Sequence, residues 1–312
     1  MIIIPEPATI RRAASLLEGG DLVVFPTETV YGLGGDARSD RSVAHIFAAK
    51  NRPSFNPLIV HILNLEAAEE FGFFNETARS LAQYFWPGPL TLVVPRKKEA
   101  NLSLLAVAGL DTVALRVPSH PIAQALLKAF DNPIVAPSAN KSGYISPTEP
   151  WHVEASLGKE APFVIDGGRT YRGLESTILQ VMDEDVILLR HGALSQEEVE
   201  EFLGKKLKTH SSGDINAPGQ LTSHYSPRLP LRLNVLDPQP GEAFIAFGQM
   251  DHRAILNLSV ESNLQEAAAN LFSFLHSLDH PDLYTGIAVA PIPKVGIGVA
   301  INDRLQRAAA PK

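Results

Sequence analysis

The chain has 312 residues, of which 45% are hydrophobic and 20% are charged, so it has ample material for a globular core and a length that predicts two domains. The absence of cysteine excludes disulfides, zinc–thiolate sites and cysteine nucleophiles. A net charge of −7 argues against a protein that coats nucleic acid nonspecifically, although a local basic pocket stays open.

The spacing of apolar residues predicts alternating helices and strands over the first two thirds of the chain. Helices are predicted at residues 7–19, 40–50, 76–86, 121–130 and 195–203. Strands are predicted at residues 21–25, 58–62, 90–95, 112–117, 163–165, 176–181 and 186–190, with a short apolar run at 133–137.

The composition changes at residues 209–230, which are rich in Ser, Gly and Pro and poor in aliphatic residues, as is typical of a linker. Strands and helices alternate again beyond this segment, which predicts a smaller, Rossmann-like α/β domain. Its strands are predicted at 244–248, 253–258 and 286–290, and its helices at 262–278 and 299–309. The predicted division is therefore 1–208, a linker at 209–230, and 231–312.

The first residues, Met1–Glu6, are far too short for a signal peptide and lack its basic segment, and no apolar run reaches membrane-spanning length. We therefore expect a soluble, cytoplasmic protein without a membrane partner.

One stretch stands out early in the chain. The residues Pro26 to Gly34 (PTETVYGLG) follow the first predicted buried strand. Proline cannot donate to a sheet ladder, so we expect strand pairing to end at Pro26. The hydroxyls and carboxylate that follow, and the glycines that let a ligand approach the backbone, favour a binding site. An ordinary strand-to-loop turn is the alternative.

Polar or basic side chains recur beside the predicted strands. An arginine inside an apolar run, such as Arg116, is unfavourable unless it meets an anion. Taken singly, each has a structural explanation as an ion pair, a core histidine or a turn residue. Together, Lys50, Arg52, Arg116 and Arg190 could neutralise a polyphosphate. The recurring residues are Thr29, Arg52, His61, Arg116, Ser138, Asn140, Ser176 and Arg190.

The common nucleotide-binding motifs are missing. The sequence has no G-x-x-x-x-G-K-[ST], and its Gly-x-Gly pairs lack the third glycine of the dinucleotide fingerprint. Any nucleotide site must therefore be built from side chains at several strand ends.

The ordered set of motifs resembles the threonylcarbamoyl-AMP synthase family, which has the YrdC-like fold. The segment Pro218–Pro227 and the C-terminal extension resemble its longer, two-domain branch. Within residues 8–203 the resemblance is carried by PTETVYGL at 26–33, K-x-RP-x-x-NPL at 50–58, WPGPLT at 86–91, RVP at 116–118, SAN-x-SG at 138–143, EST at 175–177 and R-x-G at 190–192.

This resemblance implies an α/β fold with a twisted mixed sheet around a positively charged cavity. It also implies that L-threonine, bicarbonate and ATP become L-threonylcarbamoyl-adenylate and pyrophosphate, with Mg²⁺ accompanying ATP. The product would serve a tRNA modification, so tRNA or a separate threonylcarbamoyl transferase complex is an expected partner.

Site residues follow from the same resemblance. L-Threonine would be surrounded by Thr29, His61, Arg116, Ser176 and the backbone at Ala136. Lys50 and Arg52 would supply the catalytic positive charge, and no metal site made by the protein is predicted. Tyr225 on the linker would fold over the pocket as a lid. The ATP side would be formed by Lys50, Arg52, Asn56, Thr112, Ser138, Asn140, Ser146, Arg190 and Tyr225.

Two other functions stay open. A carbamoyl transferase that acts through carbamoyl-adenylate, as in hydrogenase maturation, is disfavoured because a chain without cysteine cannot build the zinc fingers of those relatives. A noncatalytic module for double-stranded RNA is disfavoured by the net charge of −7 and the lack of an aromatic–basic stretch.

Overall fold

The computed structural model describes residues 1–53, 55–161, 163–209, 223–249 and 252–311. The helices of these residues are α1 (Pro7–Glu18), α2 (Asp40–Lys50), α3 (Leu65–Glu69), α4 (Glu76–Phe85), α5 (Pro121–Phe130), α6 (Pro150–Leu157), α7 (Gln196–Leu203), α8 (Leu264–Leu278) and α9 (Gly298–Ala309). The strands are β1 (Ile2–Ile3), β2 (Val23–Pro26), β3 (Tyr31–Asp36), β4 (Ile59–His61), β5 (Leu90–Pro95), β6 (Thr112–Arg116), β7 (Ile134–Val135), β8 (Val164–Ile165), β9 (Thr177–Met182), β10 (Asp185–Arg190), β11 (Lys208–Thr209), β12 (Leu231–Arg232), β13 (Glu242–Ala246), β14 (Leu256–Asn257) and β15 (Gly286–Val289).

Two sheets organise the described residues. The first has eleven strands in the order β1-β8-β2-β3-β7-β4-β6-β5-β9-β10-β11 and mixes parallel with antiparallel pairs. The second has four parallel strands in the order β12-β15-β13-β14. The predicted fold class, a mixed-sheet α/β domain with a smaller Rossmann-like α/β domain, is confirmed.

Helix α2 shows how the sequence directs the chain toward the site. Its N-cap Ser39 accepts a hydrogen bond from the Ser42 amide, and Val43 and Ile46 bury one face. Asn51 then adopts the left-handed conformation that often ends a helix. Lys50 is thus the last residue of the helix, and the turn brings Arg52 back beside the sheet.

The two domains share buried contacts. The core of the C-terminal domain, formed around α8 and α9, includes Val30, Ile145, Leu174 and Ala193 from the larger domain. At Gly173 an added Cβ would lie 2.3 Å from the carbonyl oxygen of Ala268, so only glycine permits this close approach. The C-terminal domain is thus packed directly against the larger one.

The stretch Pro26 to Gly34 differs in part from expectation. Strand β2 does end at Pro26, but the chain turns over residues 27–30 and returns as strand β3, which the sequence analysis missed. A Cβ at Gly34 would lie 2.7 Å from the Phe25 ring, so this glycine allows two strands to pack rather than a ligand to approach. Gly32, in contrast, lines the cavity described below.

Other segments also depart from prediction. The strand expected at 253–258 is wrong in length, because only Leu256–Asn257 pairs with β13. Helices α3 and α6 were not predicted. Of the predicted linker, residues 210–222 lie outside the described residues. Over the ranges that the structure describes, no helix is long and apolar enough to cross a membrane.

Candidate active site

A cavity opens where several strands of the large sheet end. Its walls come from the β2–β3 turn, the ends of β4, β6 and β10, the loops after α2 and β7, and the linker residues 224–225. The residues that line it are Thr27, Val30, Gly32, Arg52, Ile59, His61, Arg116, Ala136, Pro137, Ser138, Glu175, Ser176, Arg190, His224 and Tyr225.

Two buried arginines supply positive charge to this cavity. Arg190 ends β10, and its Nη2 donates to the carbonyl of Ser176 at 2.8 Å. The Nη2 of Arg52 donates to the carbonyl of Pro57 at 3.2 Å, while its Nε has no partner among the described residues. Burial lowers the pKa of each guanidinium to about 10, so both are cationic at neutral pH. The pair can bind an anion such as a phosphate.

Arg116 is held by a carboxylate that the sequence analysis did not assign to the site. Its Nη2 donates to Glu28 Oε1 at 2.6 Å and to Thr29 Oγ1 at 3.0 Å. The other Glu28 oxygen accepts from the Ser119 amide at 3.0 Å. Both members of the ion pair are buried, so the attraction between the two charges offsets the cost of removing each from water. A glutamate beside the two threonines of PTETV was the available signal.

Lys50 lies beside the cavity instead of lining it. Its Nζ donates to the carbonyl of Ser138 at 2.5 Å and also to that of Asn140. Burial, with the positive charge of Arg52, holds the pKa of Lys50 well below its usual range. In this structure the lysine therefore braces the loop after β7 that forms one wall.

His61 and Ser176 do line the cavity. His61 ends β4 and is buried, and its Nδ1 has no partner among the described residues. Burial and the nearby Arg116 lower the pKa of His61 to about 3, so the ring is neutral at physiological pH. Ser176 shares a 2.7 Å hydrogen bond with Thr91 and accepts from Arg190 at 3.1 Å. These groups can bind a polar, uncharged part of a ligand.

Three more predicted residues are buried near the cavity, and a fourth lies elsewhere. Both amide atoms of Asn56 and the Oδ1 of Asn140 have no partner in the described part of the chain, which is unusual for buried groups. Ser146 donates to Glu175 at 2.6 Å. Thr112 begins β6, four residues before Arg116 and so about 13 Å from it along the strand. Thr112 does not line the cavity.

The linker residues close the cavity. Tyr225 is 1% exposed and has a left-handed φ of 64°. Its ring stacks on Phe272 of α8 at a centroid distance of 5.5 Å, and the Arg304 guanidinium of α9 lies 5.1 Å from its centre. The C-terminal domain thus positions the predicted lid residue.

Glu175 and Arg304 are further residues that the sequence analysis did not assign to the site. Burial alone would raise the pKa of Glu175, but Arg304, Arg190 and the hydrogen bond from Ser146 hold it at about 2. Among the described residues that line the cavity, Glu175 is therefore an ionised carboxylate beside the arginines.

No group of three or more His, Cys, Asp or Glu residues that could hold a metal ion occurs in the ranges that the structure describes.

Comparisons with known proteins cover almost the whole chain. The family model Sua5/YciO/YrdC, described as "Telomere recombination", matches residues 15–192. A second model, described as "Threonylcarbamoyl-AMP synthase, C-terminal domain", matches residues 194–310.

Individual relatives agree with these models. The threonylcarbamoyl-AMP synthase of Bacillus subtilis is 39% identical over 96% of this chain and 92% of its own length. That of Pyrococcus abyssi is 37% identical over 97% and 94%, respectively. The crystal structure of P. abyssi Sua5 with L-threonine has a TM-score of 0.90, 36% identity, and coverage of 99% of this chain and 97% of that one.

Proposed function

The chain belongs to the threonylcarbamoyl-AMP synthase family, and we propose that it converts L-threonine, bicarbonate or dissolved CO₂, and ATP to L-threonylcarbamoyl-adenylate and pyrophosphate. The observation that carries the proposal is the convergence of Arg52, Arg116 and Arg190 on one cavity beneath Tyr225. Fixed cations in a closed site suit a reaction that transfers a nucleotidyl group.

Threonine would bind at the Arg116 side. The Nη1 of Arg116 has no hydrogen bond to another described residue, so it is available for a carboxylate, while Glu28 and Thr29 fix the other nitrogen. Neutral His61, Ser176 and the backbone at Ala136 would contact the remaining polar groups of the amino acid.

ATP would bind at the Arg52 and Arg190 side, where Ser138, which also lines the cavity, would contact it. Asn56, Asn140 and Ser146 would support this side from positions beside the cavity, and Lys50 would act through the Ser138–Asn140 loop that it braces. Thr112, at the start of β6, would need a movement of its strand to reach ATP.

The chemistry requires positioning more than a protein nucleophile. The neutral threonine amine attacks carbon dioxide or bicarbonate and forms a carbamate; with carbon dioxide the amine releases a proton to solvent, and with bicarbonate water leaves. The carbamate oxygen then attacks the α-phosphorus of ATP, and the bond to pyrophosphate breaks. Arg52 and Arg190 would stabilise the charge on the phosphates, and Tyr225 would keep water from the carbamate and the mixed anhydride.

Mg²⁺ would enter with ATP. The Glu175 carboxylate is already bound by Arg304 and Ser146, so the protein groups fit a metal only as part of Mg–ATP. When bound, the ion would neutralise phosphate charge. We also propose that the product feeds tRNA modification through a separate transferase complex, and that the protein is cytoplasmic.

Pyrophosphate release, with threonine, bicarbonate and ATP each omitted in turn, tests the proposal. Release that requires all three supports the synthase. Release without threonine would instead favour carbamoyl-adenylate chemistry or plain hydrolysis. If the folded protein with Mg²⁺ released none, the proposal would be wrong, and a salt titration of RNA binding would test the remaining alternative.

A further inference from the structure

Arg304 is a buried cation at the boundary between the two domains. It lies on α9 of the C-terminal domain, yet its side chain is 0% exposed and points to the larger domain. Its Nε donates to Glu175 Oε2 at 2.9 Å, and its Nη2 donates to the carbonyl of His191 at 2.8 Å. Its Nη1 donates to Asp303 of the same helix at 2.6 Å, whereas Nε and Nη2 are paired with the larger domain, so the placement of this buried guanidinium depends on both domains.

Through these contacts Arg304 reaches two groups that line the cavity. The first is Glu175, which it neutralises and orients together with Ser146. The second is Tyr225, whose ring it covers at 5.1 Å while Phe272 stacks against the same ring. The end of α9 also holds the neighbouring residue, because the His224 amide donates to the carbonyl of Arg307 at 3.2 Å.

Charge explains why this arrangement matters. Glu175 lines the same cavity as Arg190, and a carboxylate there opposes the binding of a phosphate. While Arg304 pairs with Glu175, the negative charge of Glu175 is neutralised by a cation that does not itself line the cavity. Without Arg304, Arg190 would be the main cation left beside Glu175, so the carboxylate would compete more strongly with the phosphates for Arg190.

We propose that Arg304 is a positioning residue for ATP, through which the C-terminal domain neutralises Glu175 beside the phosphate-binding arginines and holds Tyr225 over the substrates. This inference rests on the proposed synthase function. It gives the C-terminal domain a specific part in the reaction, since the site on the larger domain is incomplete without it.

The test compares Arg304→Met with a matched control, Arg169→Met. Arg169 also bridges the domains, because its Nη2 donates to Ala269 and Asn270 on α8, but it does not line the cavity. Pyrophosphate release is measured with ATP and threonine varied separately. We expect R304M to raise the KM for ATP about tenfold or more and that for threonine far less, and R169M to change neither markedly.

A double variant distinguishes a positioning role of Arg304 from a role in attaching the two domains to each other. The double variant R304M/E175Q removes the stray carboxylate together with its partner, so the KM for ATP should return most of the way to that of E175Q alone. If Arg304 only held the domains together, the double variant would be as impaired as R304M, and the proposal would be wrong.

Two further measurements distinguish a loss of ATP binding from a loss of folding or of turnover. If R304M does not fold, Arg304→Lys replaces it. Lysine keeps the charge but cannot contact Glu175, His191 and Tyr225 at once, so we expect a smaller rise in the KM for ATP. Equilibrium binding of ATP to the same variants tests the proposal without turnover. If the wild type binds ATP but releases no pyrophosphate, the proposed function fails, whereas equal ATP affinity in all variants overturns the role of Arg304.

Discussion

The two walls of the cavity are built by different means. On the sheet wall, Arg116 and Arg190 sit at strand ends and are fixed by hydrogen bonds to neighbouring strands and loops. On the closing wall, Tyr225 is held by ring contacts with Phe272 and Arg304. The hydrogen bonds on the sheet wall hold the charged side chains in fixed positions. Contacts between rings are less directional, so the Tyr225 ring can move away and return at a smaller cost in free energy. Under the proposed function, one wall would bind the substrates and the other would enclose them.

Arg116→Ala should produce the largest effect, because it breaks the sheet wall at a buried ion pair. Glu28 would remain buried without its partner, which costs about 3–5 kcal/mol of unfolding free energy. Threonine would lose its carboxylate partner as well. Denaturant unfolding and adenylate formation measure the two losses.

The control for this change is the double variant E28Q/R116M, which leaves no unpaired charge and should recover much of the stability but not the activity. An unfolding free energy of R116A within about 0.5 kcal/mol of wild type would contradict the account of this pair.

Arg52→Ala should weaken ATP binding about tenfold to a hundredfold and threonine binding much less, because a charge-assisted contact to phosphate is lost on one side only. Arg52→Lys keeps the charge but loses the planar fork, so its ATP affinity should lie between those of the wild type and Arg52→Ala. Separate titrations with ATP and threonine are the measurement. An equal loss of both affinities would mean that Arg52 supports the whole fold or has been assigned to the wrong side.

Changes on the closing wall should be milder. Tyr225→Ala should lower the adenylate yield about tenfold and leave the circular dichroism spectrum unchanged, since the ring contacts are lost but the sheet is not touched. Tyr225→Phe keeps the ring and should stay close to wild type. Unchanged yield in Y225A would reject the role of this residue as a lid.

The smallest effect concerns pH and involves both walls. Burial lowers the pKa of His61 and of His224 to about 3, below the ordinary value of about 6.5. Each folded-state pKa is depressed, so the neutral ring stabilises the fold fully above pH 6.5, and this stability is lost as the pH falls toward 3. The contribution of each histidine to the unfolding free energy should fall by about 0.8 kcal/mol when the pH is lowered from 7.5 to 6.

The variants His61→Asn and His224→Asn test this expectation in denaturant unfolding at both pH values. Each should reduce the loss of stability on acidification. If neither did, these histidines would have ordinary pKa values in the folded protein.

The sequence predicted the sheet wall better than the closing wall. Strands with polar residues at their ends, such as those ending in His61 and Arg190, follow from local patterns. Strand β3 was missed because its glycines, which let it pack on Phe25, conceal the apolar alternation of a strand. The contact between Glu175 and Arg304 joins residues 129 positions apart, and no local spacing predicts it. For Lys50, the motif gave the position beside the site but not the two carbonyls that its amine would bind.

The most direct test of the central claim, that both walls act together on three substrates, is mass spectrometry of the product made with isotopically labelled bicarbonate. The account predicts a labelled threonylcarbamoyl-adenylate that forms only with threonine and ATP, in one-to-one proportion to pyrophosphate. A product without threonine or without the label, or pyrophosphate released with no adenylate at all, would contradict it.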